Sequence, residues 1–143
     1  MTLDQTYRVP VGILGRFLLD KDGEHKGKLS LKQGGRIYIV DCIRMFSLEK
    51  GLSETSTLKR LATLTEQRVF ENETAEHIKA AFEALTFLRL RNEIALLEKG
   101  QSPSHYLNPN ELPKSEQELL KEAFHAVSKL QDATKRHFTK SFI

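Results

Sequence analysis

Asp20 and Asp22 stand two residues apart, the spacing at which paired carboxylates hold metal ions for transfer chemistry. They lie in Asp20-Lys21-Asp22-Gly23-Glu24-His25-Lys26-Gly27, a basic loop without the glycine–serine turn that such a pair needs. A helical-bundle ribonuclease would want an arginine followed roughly four to six residues later by a histidine. Arg68 to His77 is too long a step for that, and Arg136-His137 too short. Five scattered histidines and one cysteine, Cys42, give no zinc spacing. Neither common glycine-rich phosphate loop occurs, and Gly34-Gly35 is the one glycine pair. No nucleophile reads as paired with a base. Taken alone, the chain carries no catalytic constellation.

Any ligand-facing group must then be positioned by helices, above all by residues 73–98. This stretch has no proline or glycine and is apolar or alanine on nearly every turn. At 100° per residue, Ile78, Phe82, Leu85 and Leu96 fall on one side, and Ala80, Ala84, Phe87 and Ile94 on the other. A helix apolar on both sides needs neighbours nearly all round, so it is expected as the central post of a helical domain. Arg89 points with Phe82 and Leu96, and Asn92 with Leu85, where hydrophobes belong. Buried polar groups need partners. Arg89 either pairs with a carboxylate of a neighbouring helix, reaches out to water, or faces a ligand.

The bulk numbers set the frame. The 143 residues suit one domain with a real core. Hydrophobic residues make up 39% and charged residues 29%, an ordinary balance for a soluble protein. A net charge of +3, from 22 basic and 19 acidic residues interspersed, is too mild to argue for nucleic acid. A lone cysteine excludes an internal disulfide and fits a reducing compartment. Met1-Thr2-Leu3-Asp4-Gln5 has no signal pattern and no run approaches a membrane span, so a cytoplasmic location is expected.

In chain order, residues 1–35 differ from the rest. Pro10, Gly12 and Gly15 interrupt an apolar run, a polar turn follows, and Lys28-Leu29-Ser30-Leu31-Lys32 alternates as a half-exposed strand does. The simplest reading is a hairpin of 13–19 with 28–32, which must lean on the helices or on a sheet outside this chain. After Gly34-Gly35, the spacing of Ile39, Cys42, Ile43 and Phe46 predicts a helix over 36–49, stopped by Gly51. Asp41 and Arg44 share its other face, one turn apart, at minimum as an exposed ion pair.

Thr55 or Ser56 can cap a second helix running to Arg68, with Leu58, Leu61, Ala62, Thr65 and Val69 inward. Asn72 is expected to cap the central helix and Gly100 to close it. Residues 101–112 read as a loop anchored by Tyr106 and Leu107. Pro113 opens a last helix with Leu119, Leu120, Ala123, Phe124, Val127, Leu130 and Phe138 on one face. Lys121, His125, Lys129, Arg136 and Lys140 form the opposite, basic face, which reads as solvated surface. The expected fold is mainly α: an antiparallel four- to five-helix bundle with a short N-terminal β-hairpin or extended segment. The chain divides into residues 1–35, extended, and 36–143, helical, within a single domain.

Several motifs recur together in a known order. They are Gly23-Glu24-His25-Lys26, Leu29-Ser30-Leu31-Lys32, Ile39-Val40-Asp41-Cys42-Ile43-Arg44, Thr57-Leu58-Lys59-Arg60-Leu61, Leu88-Arg89-Leu90-Arg91-Asn92 and Asn108-Pro109-Asn110-Glu111-Leu112. Over about residues 10–140 the chain resembles the C-terminal substrate-binding domain of bacterial signal-transduction nucleotidyltransferases. Those proteins typically carry a cyclic-nucleotide-binding-like domain, a pair of CBS domains and a catalytic domain similar to the protein-PII uridylyltransferase.

The resemblance implies a bundle like the second domain of kanamycin nucleotidyltransferase, packed beside a catalytic sheet and shaping a nucleotide or acceptor cleft. It makes Lys32, Asp41, Arg44, Arg89 and Arg91 the candidate cleft residues, with His25 behind them. Arginine and lysine suit phosphate as charge-assisted donors. Arg89 and Arg91 point roughly opposite ways, so at least one is structural. Where the family's strand usually reads Leu-Asp-Leu-Lys, Ser30 takes the Asp position, and it cannot act as a metal carboxylate.

No cofactor is expected in this chain, with Mg2+ and a nucleoside triphosphate expected at the partner catalytic domain. The expected partners are that catalytic domain, in the same or a separate chain, and a possible homodimer. Neither a membrane nor a nucleic acid is expected. The alternative is a stand-alone protein–protein interaction or dimerisation module.

Overall fold

The computed structural model describes residues 17, 19, 23, 26–31 and 35–140. Among them run a two-residue strand β1 (Leu29–Ser30) and the helices α1 (Ile37–Glu49), α2 (Thr57–Glu66) and α3 (Asn72–Glu98). A second short strand β2 (Tyr106–Leu107), a 3-10 turn over Pro109–Glu111 and the helix α4 (Lys114–Lys140) complete the chain. The protein is mainly helical, with four α-helices and one small antiparallel sheet among the described residues.

Three helices stop in the same way. After α1 the N–H of Leu52 donates to Ser47 O at 3.0 Å around Gly51, whose φ is 67°. After α3 the N–H of Gln101 donates to Leu96 O at 2.9 Å around Gly100, whose φ is 72°. Both are the left-handed close that glycine favours. After α2 Arg68 takes that position at φ 61°, with Val69 N–H donating to Leu64 O at 2.9 Å. A side chain in this conformation costs about 1–2 kcal/mol, and it ends α2 at Glu66, short of the expected Arg68.

At its start Ser56 Oγ accepts from Lys59 N–H. Leu61 and Leu64 are buried while Ala62 is exposed, so Leu64 takes the inward place expected of Ala62. Asn72 lies inside α3, and Glu71 holds the cap position without a side-chain bond.

Among the described residues β1 pairs with a segment far along the chain. Leu29 lies opposite Leu107 and Ser30 opposite Tyr106, so the strand pairs with the loop before α4. Of the other expected arm, residues 13–16 and 18 lie outside the described residues. Leu29 and Leu107 are both buried, which joins the sheet to the core.

The core forms from the predicted stripe of α1 (Ile39, Cys42, Ile43, Phe46), with Leu85 and Leu88 of α3 and Leu120, Phe124 and Val127 of α4. α3 and α4 pack along their length in opposite directions, since Arg91 meets Glu116 while His77 shares a groove with Lys129. α1 packs on α4 and α2, and α2 on α3. At Gly35 the segment entering α1 comes close to both long helices. A Cβ there would stand 2.8 Å from Leu85 Cδ1 and 3.1 Å from Phe124 Cε1. Leu119, placed inward by periodicity, is exposed, and Thr134 is buried instead, donating to Leu130 O at 2.6 Å.

The central post is covered over only part of its length. Ile78, Ala81, Ala84, Leu85 and Leu88 are buried, but Phe87, Leu90, Ile94 and Leu97 stand 52–56% exposed. The reason is length. At 1.5 Å per residue α3 is about 40 Å long, and α1 and α2 are about 20 and 15 Å. Neither is long enough to flank all of it.

Candidate functional site

Arg36 precedes the first residue of α1, and sequence reasoning passed over it. Its Nε donates to Thr86 Oγ1 of α3 at 3.1 Å, and its guanidinium lies over the Phe82 ring at 5.0 Å. A cation over an aromatic face is attracted to it, so the side chain is held rather than free to sweep solvent. One turn beyond Thr86 stands Arg89, whose Nε donates to Glu93 Oε1 at 3.2 Å on its own helix. Burial, and then the like charge of Arg89, push the Arg36 guanidinium below the usual arginine range. Two guanidinium groups therefore converge on one seam, where the segment entering α1 meets α3. Among the described residues one carboxylate, Glu93, bridges to the pair, and none bridges to Arg36. The seam keeps a surplus positive charge with fork-shaped donors, an arrangement suited to phosphate or carboxylate.

Of the candidates read from the sequence, Arg89 is at this seam. Arg44 is exposed and lies two turns along α1 from Arg36, on the same i, i+4, i+8 strip. Asp41 is half-buried and further round the helix, and among the described residues no Asp41–Arg44 bridge forms. Arg91 goes elsewhere. Both of its terminal nitrogens donate to the carboxylate of Glu116 on α4, and it covers the Phe87 ring at 5.6 Å. It ties two helices together. His25 and Lys32 lie outside the described residues.

Asn92 is also structural: its Nδ2 donates to Ser104 O at 3.2 Å and Tyr106 O at 2.9 Å, fastening the 104–106 loop to α3. Cys42 is no nucleophile, because burial pushes its thiol up despite a hydrogen bond with Thr134.

A concavity runs between α3 and α4. It is a groove of about 340 Å³ floored by Ala80, Ala81, Ala84 and Ala123 and edged by His77 and Lys129. It continues past Lys129 into a space of about 330 Å³ that reaches Arg136. Thus Lys129 and Arg136 of the expected basic face border a groove. Lys121 instead lies over Phe17 at 5.3 Å and pairs with Glu118. Glu122 and Asp132 line the same groove, so its charge is mixed.

One comparison decides the family. A family model described as "Putative nucleotidyltransferase substrate binding domain" matches residues 2–138. The chain belongs to this family. A domain of this kind goes with a nucleotidyltransferase catalytic part. No curated protein and no solved structure matches the chain. Arg36 could have been found from the sequence by one signal: it is a cation directly after a glycine pair, where a helix begins.

Proposed function

We propose that this nucleotidyltransferase substrate-binding domain holds the phosphate-bearing substrate, nucleotide or acceptor, at the seam where the start of α1 meets α3. The observation that carries the reading is the Arg36–Arg89 pair, fixed by Thr86 and Phe82 and served by one carboxylate. A phosphate arriving there would relieve the repulsion between the two guanidiniums and receive charge-assisted bonds from both. Arg44 extends the positive strip along α1 toward a longer ligand. The chemistry itself, with Mg2+ and a nucleoside triphosphate, falls to the catalytic part, beside which this seam would form one wall of the cleft.

The test is titration of ATP or UTP into the isotope-labelled chain. Amide and side-chain shifts are expected at Arg36, Thr86 and Arg89. Arg36→Ala or Arg89→Ala should weaken binding by tenfold or more, since a hydrogen bond to a charged group contributes about 1.5–3 kcal/mol. Arg36→Lys should recover part of the loss, because it restores charge without the fork. Shifts confined to residues 113–140, or unchanged affinity in both alanine variants, would refute the reading. The alternative of a stand-alone interaction module draws its support from a different place, the exposed apolar side of α3.

A further inference from the structure

Phe87, Leu90, Ile94 and Leu97 follow one another at steps of three, four and three residues, and each is more than half exposed. That is the spacing of a coiled-coil seam, in which one helix accepts another side by side. Elsewhere in the described chain the periodic apolar faces are buried, so this one is a surface without a cover. We propose that it docks an amphipathic helix of the nucleotidyltransferase catalytic part. This rests on the family reading above and adds to it the face and the geometry by which the two parts meet.

The choice of occupant follows from area and charge. Four side chains of this size, each about half exposed, offer on the order of 400 Å². A stable interface between free partners buries about 800 Å² on each side. The seam is thus too small to hold a second copy well, but sufficient for a part kept nearby at high effective concentration. The flanking charges also oppose self-pairing. In an antiparallel pair with Leu90 against Ile94, the two-fold axis passes Asn92. Arg91 then meets its own counterpart, and so does Glu93. In a parallel pair Glu93 of one copy falls beside Glu98 of the other, the flanking contact that sets partner choice. Like charges meet in both arrangements. A different helix carrying complementary flanks has no such conflict.

The seam also lies next to the tethered elements. Arg91, packed on Phe87, holds α4 through Glu116, and Asn92 holds the 104–106 loop. Cover on this side would therefore bear on a braced helix rather than a fraying end.

The experiment mixes the chain with a purified nucleotidyltransferase catalytic domain of the same family at about millimolar concentration, which stands in for the tether, in the absence of nucleotide. Calorimetry measures the affinity, and hydrogen exchange maps the contact. Slower exchange over residues 87–97 is expected on mixing. The double variant Leu90→Gln with Ile94→Gln, which keeps good helix formers at exposed sites, should bind at least tenfold more weakly with an unchanged melting temperature.

Full-strength binding by the double variant would overturn the proposal. So would failure of the wild-type chain to bind, or a concentration-dependent dimer of the chain that the same variant dissolves. The last result would make a second copy the occupant. Because nucleotide is absent from the mixture, none of these outcomes bears on the phosphate titration at Arg36 and Arg89, and the two proposals can fail separately.

Discussion

The two halves of α3 are one unbroken helix in opposite surroundings. Residues 72–86 pack against α2 and α4, with Ala75, Ala81 and Ala84 buried and allowing neighbours to come close. Residues 87–98 carry larger side chains and leave four of them in water. Apolar content alone therefore does not mark the core; the reach of the neighbouring helices does. The first half serves stability and presents Thr86 to Arg36. The second is braced on one side by Glu116 and the 104–106 loop and is open on the other.

Truncating matched leucines is the strongest way to break this comparison. Leu85→Ala, at a site with no exposure, should cost about 2–5 kcal/mol in urea unfolding. Leu90→Ala should stay within about 0.5 kcal/mol. Equal losses would mean that the second half is covered after all.

A smaller effect is expected from Asn92→Ala, which strips donors from two carbonyls and should cost about 1 kcal/mol. Hydrogen exchange should quicken at 104–107 and stay unchanged across 75–85. Spread of the effect into the first half would show that the halves are one cooperative unit.

The smallest effect concerns pH. The hydrogen bonds from Arg91 hold the Glu116 carboxyl below the usual glutamate range, against a smaller opposing push from burial, with the arginine's charge adding least. A depressed carboxyl contributes stability that is complete above its unfolded pKa and is lost as pH falls through its folded value. The bridge reaches solvent, so the loss is small. Glu116→Gln should flatten that acid limb of the stability curve, and added salt should blunt it in the wild type. An identical acid limb in Glu116→Gln would remove the bridge from the account.

Much of the fold was legible in the residues, because it depends on near neighbours along the chain. Ile39, Cys42, Ile43 and Phe46 all turn inward as their spacing requires, and Gly51 and Gly100 end their helices in the left-handed conformation that glycine permits. The run from 73 to 98 without proline or glycine is one helix, as its composition demands. The site was less legible. Arg89 was visible as a cation on an apolar stripe, but its relation to Arg36 spans about fifty residues. Local pattern holds no information at that distance. Arg91 stood out equally in sequence, and only its meeting with Glu116 shows it to be a tie between helices.

The sequence by itself determined which segments are helices, where α1 and α3 stop and which stripe of α1 turns toward the core, since backbone sterics and a 3.6-residue period act within a few residues. Tertiary structure alone decided that β1 pairs with Tyr106–Leu107, that two arginines from distant segments meet at one seam, and that half of α3 is left uncovered. Those outcomes depend on relative lengths and on contacts across the chain, where the free energy belongs to the pair and not to either residue alone.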